Sequence, residues 1–207
     1  MKARMPESIP CIPAQTCHGV CIGCVDIGSQ WSDEYQKFFR QIILTWELPT
    51  VRMDVADKNG VKKNMPRVIS KTYSNTLGKG LRLLEHIEMW RGKFASDNEK
   101  RNYDYSERLG KNCILVIANS PKQGGGTKAT VASVAPLMTG MQEKQPESAI
   151  TDYDMDRDGF DNLPASPPWA ADNIRKSKEY KEAMGEHTEM ADEQPDSREG
   201  GNPDIPF

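Results

Sequence analysis

The chain has 207 residues, 28% of them charged and 37% hydrophobic, with a formal charge of only −3. That length fits one domain of ordinary size with an appended tail, and the longest apolar run, Cys113 to Ala118, falls far short of the roughly 20 residues that a membrane-spanning helix needs. The near-neutral total hides an asymmetry: residues 1–140 carry 20 Lys and Arg against 13 Asp and Glu, and residues 141–207 carry 7 against 17, so a +7 body adjoins a −10 tail. A basic body suits a polyanionic ligand, and an acidic tail competes for the same surface.

From Cys17 to Asp26 small apolar and polar residues alternate up to Gly28-Ser29, which reads as a strand and a turn. Phe38 to Leu48 (FFRQIILTWEL) is rich in aromatic and β-branched residues and predicts a long second strand stopped by Pro49. A polar connection containing Gly60 leads to Arg67–Ser74, where alternation places Arg67, Ile69, Lys71 and Tyr73 on one face of a third strand. The period then lengthens: Leu77, Leu81, Leu84, Ile87 or Glu88, and Trp90 or Arg91 recur at helical spacing and predict an amphipathic helix ending near Gly92. After an irregular stretch from Lys93 to Gly110, CILVIAN reads as a short buried strand, the QGGGTK segment turns the chain, and Ala129–Ala135 completes a hairpin.

Strand, strand, strand, helix, strand, strand is the order of an OB-fold, a mainly β, five-stranded Greek-key barrel with one helix between strands 3 and 4. The domain is placed at residues 1–140. Beyond it, Pro, Glu, Asp, Gln, Ser and Gly dominate and apolar periodicity disappears, so residues 141–207 are expected to form a disordered acidic tail in which residues 170–185 make at most a transient helix.

Binding a single nucleic-acid strand requires cations for phosphates and aromatic faces for bases. The candidates are Arg67, Lys71 and Tyr73 on the third strand, Lys37, Phe39 and Arg40 at the start of the second, and Trp31 and Tyr35 in the loop before it. Lys122 and Lys128 flank the glycine-rich hairpin turn, and Arg52, Lys58, Lys62 and Lys63 enrich the loop between strands 2 and 3. Trp46 and Trp90 lie in dense apolar runs and are assigned to the core. Only one of Phe38 and Phe39 can face inward on a strand. For Tyr73 stacking and bland exposure stay equally open.

The chain ends in Asp204-Ile205-Pro206-Phe207, an acidic-hydrophobic tip with an aromatic at the free carboxylate, suited to a basic-rimmed apolar pocket on another protein. It resembles the partner-docking tip of bacterial single-stranded DNA-binding proteins. VDIGSQ at 25–30, WELP at 46–49, SKTYSNTLGKGLRLLEHIEMWRGK at 70–93, and LGKNCILVI with TKATVASVAPL are similar to phage-encoded OB-fold single-stranded DNA-binding proteins, over residues 15 to 137. The resemblance implies sequence-independent binding and protection of single-stranded DNA in phage DNA replication, recombination or repair. It also implies that replication and repair proteins are recruited through the tip. It assigns no contact residues.

Other features point elsewhere. Cys11, Cys17, Cys21 and Cys24 with His18 include zinc-type ligands, but only Cys21 and Cys24 form a short knuckle, and on a strand Cys17 and Cys21 share a face that Cys24 does not, so they are read as core residues and no metal is assigned. Asp154-x-Asp156-x-Asp158-Gly159 opens like a calcium loop, yet its twelfth position is Ala165 and Pro164 opposes an exiting helix, so it is read as an acidic linker. No nucleophile with a base, phosphate loop or acid pair stands out, and neither an enzyme nor a cofactor is expected. Without an N-terminal secretory segment the expected location is the cytoplasm, that of the host cell if phage-encoded, with reduced cysteines. An exposed strand or the helix could pair copies into a homo-oligomer. The rival reading is a metal-stabilised adaptor that binds proteins and not DNA.

Overall fold

The computed structural model describes residues 9–56, 60–122 and 125–185. Strands β1 (Gln15–Ser32), β2 (Lys37–Ala56), β3 (Lys62–Ser74), β4 (Asn112–Pro121) and β5 (Thr127–Pro136) form an antiparallel path in the order β3-β2-β1-β4-β5. A sixth, β6 (Thr151–Tyr153), runs parallel to β1. Between β3 and β4 lie α1 (Arg82–Arg91), α2 (Asp97–Arg101) and a single 3-10 turn at Tyr105–Arg108; after β6 come α3 (Met155–Asp158), α4 (Ala170–Lys176) and α5 (Lys178–Ala183). The fold is mainly β, as expected, and no helix among the described residues is long and apolar enough to cross a membrane.

The strands outrun their sequence signals. Pro49 does not stop β2, because the ladder with β3 shifts register between Leu48 and Arg52, where a residue without an N–H leaves no paired acceptor unsatisfied. Gly28 does not end β1 either. It sits at φ 68° in an irregularity between Asp26 and Ser29, and a Cβ there would lie 2.7 Å from both Met155 Cε and Glu179 Oε2 and 2.8 Å from Ser177 Cβ. Glycine is required because later chain presses onto the strand at this point. The helix starts at Arg82, five residues after Leu77, and ends against Gly92.

Even positions of β2 (Ile42, Leu44, Trp46, Leu48) face the main core with Cys17, Cys21, Cys24, Leu115, Val131 and the buried face of α1, including Ile87 and Trp90. Trp46 and Trp90 therefore pack inside, 6.4 Å apart between ring centroids. The odd positions Ile43, Thr45 and Glu47 are equally buried, which a solvated outer face would not produce. What covers them is the region expected to be a disordered tail. Residues 141–185 carry regular structure, and Tyr153, Met155, Ala170 and Ile174 form a second apolar cluster with Val25, Ile27 and Ile43 on the outer face of β1 and β2.

Backbone geometry explains part of this attachment. β4 leaves β1 after Val20, and β6 takes the freed edge at Gly23–Val25, so exposed ladder groups are paired again. Two polar side chains pin the approach. The buried Glu47 carboxylate accepts from the backbone N–H of Glu147 (2.9 Å) and Ser148 (2.7 Å), and Asn112 accepts from the Lys144 N–H (2.9 Å) while donating to its carbonyl (3.2 Å). At the other end Glu179 accepts from the Ser29 N–H and hydroxyl at 2.8 and 2.6 Å. Residues 186–207 lie outside the described residues.

The strand path is not closed between its edges, β3 and β5. Side chains cross the opening. Lys71 Nζ donates to the Val131 carbonyl of β5 at 2.5 Å. His86 of α1 donates from Nε2 to the Ala132 carbonyl (3.1 Å), a tautomer that leaves Nδ1 to accept the Tyr73 hydroxyl proton at 2.8 Å. Burial, reinforced by the Lys71 and Arg82 charges, lowers the His86 pKa from 6.5 to about 4. The folded protein therefore holds His86 neutral where the unfolded chain takes up a proton, so this contribution to stability is present above pH 6.5 and lost as pH falls toward 4. Urea unfolding at both ends of that window should show a smaller acid-induced drop for His86→Gln than for the wild type; equal drops would contradict the assignment.

Candidate nucleic-acid interface

A groove of about 870 Å³ runs along the open seam. Arg67 and Lys71 enter it from β3, and Lys122 and Lys128 from the two sides of the β4–β5 turn. These four cations were separate in sequence, and the fold brings them together because β3 and β5 are the edges of one sheet. Among the described residues, no acidic side chain lines the groove. Arg67 commits one N–H to the Pro10 carbonyl (2.7 Å), and Lys71 one proton to Val131, which leaves donors on both. Burial lowers the Lys71 pKa, with the Arg82 charge adding to it. Lys122 and Lys128 are exposed.

Two walls of the groove were not foreseen. Ile9–Ile12 cross one end, held by the buried Ile12. Pro167, Pro168 and Trp169 arrive from the outer layer. The only signal for this second wall was SPPW, a rigid dipeptide and an indole in an otherwise polar stretch.

The other candidates fall elsewhere. Tyr73 is 4% exposed, covered by α1, and its phenol is taken by His86, so the stacking option for it is withdrawn; it shares the strand face with Ile69, which is the core face. Arg40 is not a free cation. It meets Asp26 at 2.5 Å and Asp156 at 2.7 Å, which raises its pKa further and ties β2 to the outer layer. Arg52 is likewise engaged, by Asn64 and Glu147. Lys62 and Lys63 are exposed on the β2–β3 ribbon, outside the groove lining. Lys58 and Asp204, Ile205, Pro206 and Phe207 lie outside the described residues.

At the β1–β2 turn the aromatics form a separate group. Trp31 meets Phe38 edge-on at 5.1 Å, Tyr35 meets Phe39 at 5.7 Å, and Lys37 lies over the Phe39 ring at 4.9 Å. Both phenylalanines are half-buried, since each is covered by a ring from the turn, so neither points fully inward. Register places this turn at the end of β1 opposite the segment that pairs with β4, and none of Trp31, Tyr35, Lys37, Phe39 or Arg40 lines the groove.

Cys17, Cys21, Cys24 and Cys113 are buried, and burial pushes the Cys17 thiol to about 11 and Cys21 to about 12, with Cys24 and Cys113 raised as well. Burial favours the neutral thiol, and all four side chains pack within the main core. In the Asp-rich run, Asp154 accepts from the Asp156 and Arg157 N–H groups as the cap of α3, and Arg157 pairs with Asp152 and Asp158. Its carboxylates thus serve a helix cap and arginine pairs. Compared with known proteins, the chain matches no family model, no curated protein and no solved structure.

Proposed function

We propose that the protein binds single-stranded DNA without sequence preference, through an OB-fold body of the kind that phage single-stranded DNA-binding proteins use, and acts in DNA replication, recombination or repair. The observation that carries this reading is the groove between β3 and β5, where Arg67, Lys71, Lys122 and Lys128 converge with no carboxylate among the described lining residues. Single strands demand this: a continuous cationic track, wide enough for one backbone, beside exposed rings. The strand order adds support, since β1 pairing with β2 and β4, with β3 and β5 left facing one another, is the arrangement of a five-stranded Greek-key barrel. The Asp204 to Phe207 tip would recruit replication and repair proteins to the bound strand.

Fluorescence polarisation with labelled oligo-dT tests the reading. Four phosphate contacts predict that log K falls against log salt with a slope of about −3. Absence of binding at low salt, or binding indifferent to salt, would refute it.

A further inference from the structure

Resting on the single-strand reading, we propose that Trp169 is the base-stacking platform of the groove and that the outer layer, residues 141–185, is part of the binding module.

Trp169 is 41% exposed and lines the groove that holds the four cations. Exposure of so large a ring needs a reason, because its neighbours are not exposed: Pro167 and Ala170 on either side of the exposed Pro168-Trp169 pair are buried. Its backbone is held on both sides. The Ala170 N–H donates to the Pro167 carbonyl at 2.9 Å, and the Asn173 N–H donates to the Trp169 carbonyl at 3.2 Å, closing the first turn of α4. Ala170 and Ile174 then anchor α4 in the outer cluster, both with no exposed surface. A ring presented on a fixed backbone loses little freedom when a flat partner covers it, and every nucleobase has a face to offer.

Charge selects the partner. The cations beside the indole fit a strand that is anionic at each repeat and aromatic between repeats, which describes a single-stranded nucleic acid better than an apolar peptide. The other rings that could stack do not compete at this place. Tyr73 is buried, and Trp31 and Tyr35 belong to the β1–β2 turn.

The test compares wild type, Trp169→Ala and Trp169→Phe for binding to oligo-dT across a salt series, with a thermal melt of each. Trp169→Ala should lose about tenfold in affinity with the salt slope unchanged, because a stacked ring carries no counterions. Trp169→Phe should recover most of that loss. Oligo-dT should also quench wild-type tryptophan emission, and Trp169→Phe should lose that quench. Wild-type affinity in Trp169→Ala, or a Trp169→Phe no better than Trp169→Ala, would overturn the assignment while leaving the single-strand reading in place. If the wild type fails to bind oligo-dT, both fall together.

Discussion

Reversing two groove charges, Lys122→Glu with Lys128→Glu, should lower oligo-dT affinity about 100-fold at about 50 mM salt. Each neutralised phosphate on a single strand contributes about 0.7 to the salt slope, so removing two contacts alone costs nearly two orders of magnitude at that concentration. Reversal adds repulsion and should bring the slope down by at least about 1.4. Both lysines are exposed at the ends of β4 and β5, so the fold should survive; an unchanged melting temperature checks this. The same pair of changes made at Lys62 and Lys63, which lie outside the groove lining, should cost much less. Equal losses at both places would mean that diffuse positive charge, and not the groove, binds the strand.

The second large effect concerns Glu47. Its carboxylate has no exposed surface and accepts from the Glu147 and Ser148 N–H groups, so Glu47→Ala removes the acceptor of both bonds at a buried place. Bonds to a charged acceptor are worth about 1.5–3 kcal/mol each, which puts the loss near 3 kcal/mol and the drop in melting temperature at about 8 °C. The damage should be directional. Residues 144–185 should become protease-sensitive before the five-stranded path does, and oligo-dT affinity should fall with them, because Trp169 rides on that layer. A variant that melts earlier yet cleaves uniformly would show that Glu47 supports the whole fold.

The sheet was legible because β2 is rich in aromatic and β-branched residues and β3 alternates, and because α1 announces itself by Leu84, Ile87 and Trp90. The groove cations were legible by residue type, although only the topology shows that β3 and β5 face one another across a seam. Arg40 and Tyr73 were misplaced for one reason. A strand pattern gives the face of a side chain but not what covers that face, and here the covers are Asp156 and His86, 116 and 13 residues away. The outer layer was missed because its composition is polar throughout, with Tyr153, Met155 and Ile174 too widely spaced to register as a period. The structural reason lies in β2 itself: Ile43, Thr45 and Glu47 are buried on the face opposite Ile42, Leu44, Trp46 and Leu48, and a strand buried on both faces needs a cover on each.

β1 is held by three neighbours, β2, β4 and β6, and the last of these comes 119 residues after β1 ends. The chain therefore makes its first strand long before the piece that completes it. During synthesis the five-stranded path can assemble while Val25, Ile27 and Ile43 still face water, and the apolar stripe they form is a temporary liability until the outer layer emerges. The groove matures in the same sequence, its cations first and its indole wall last.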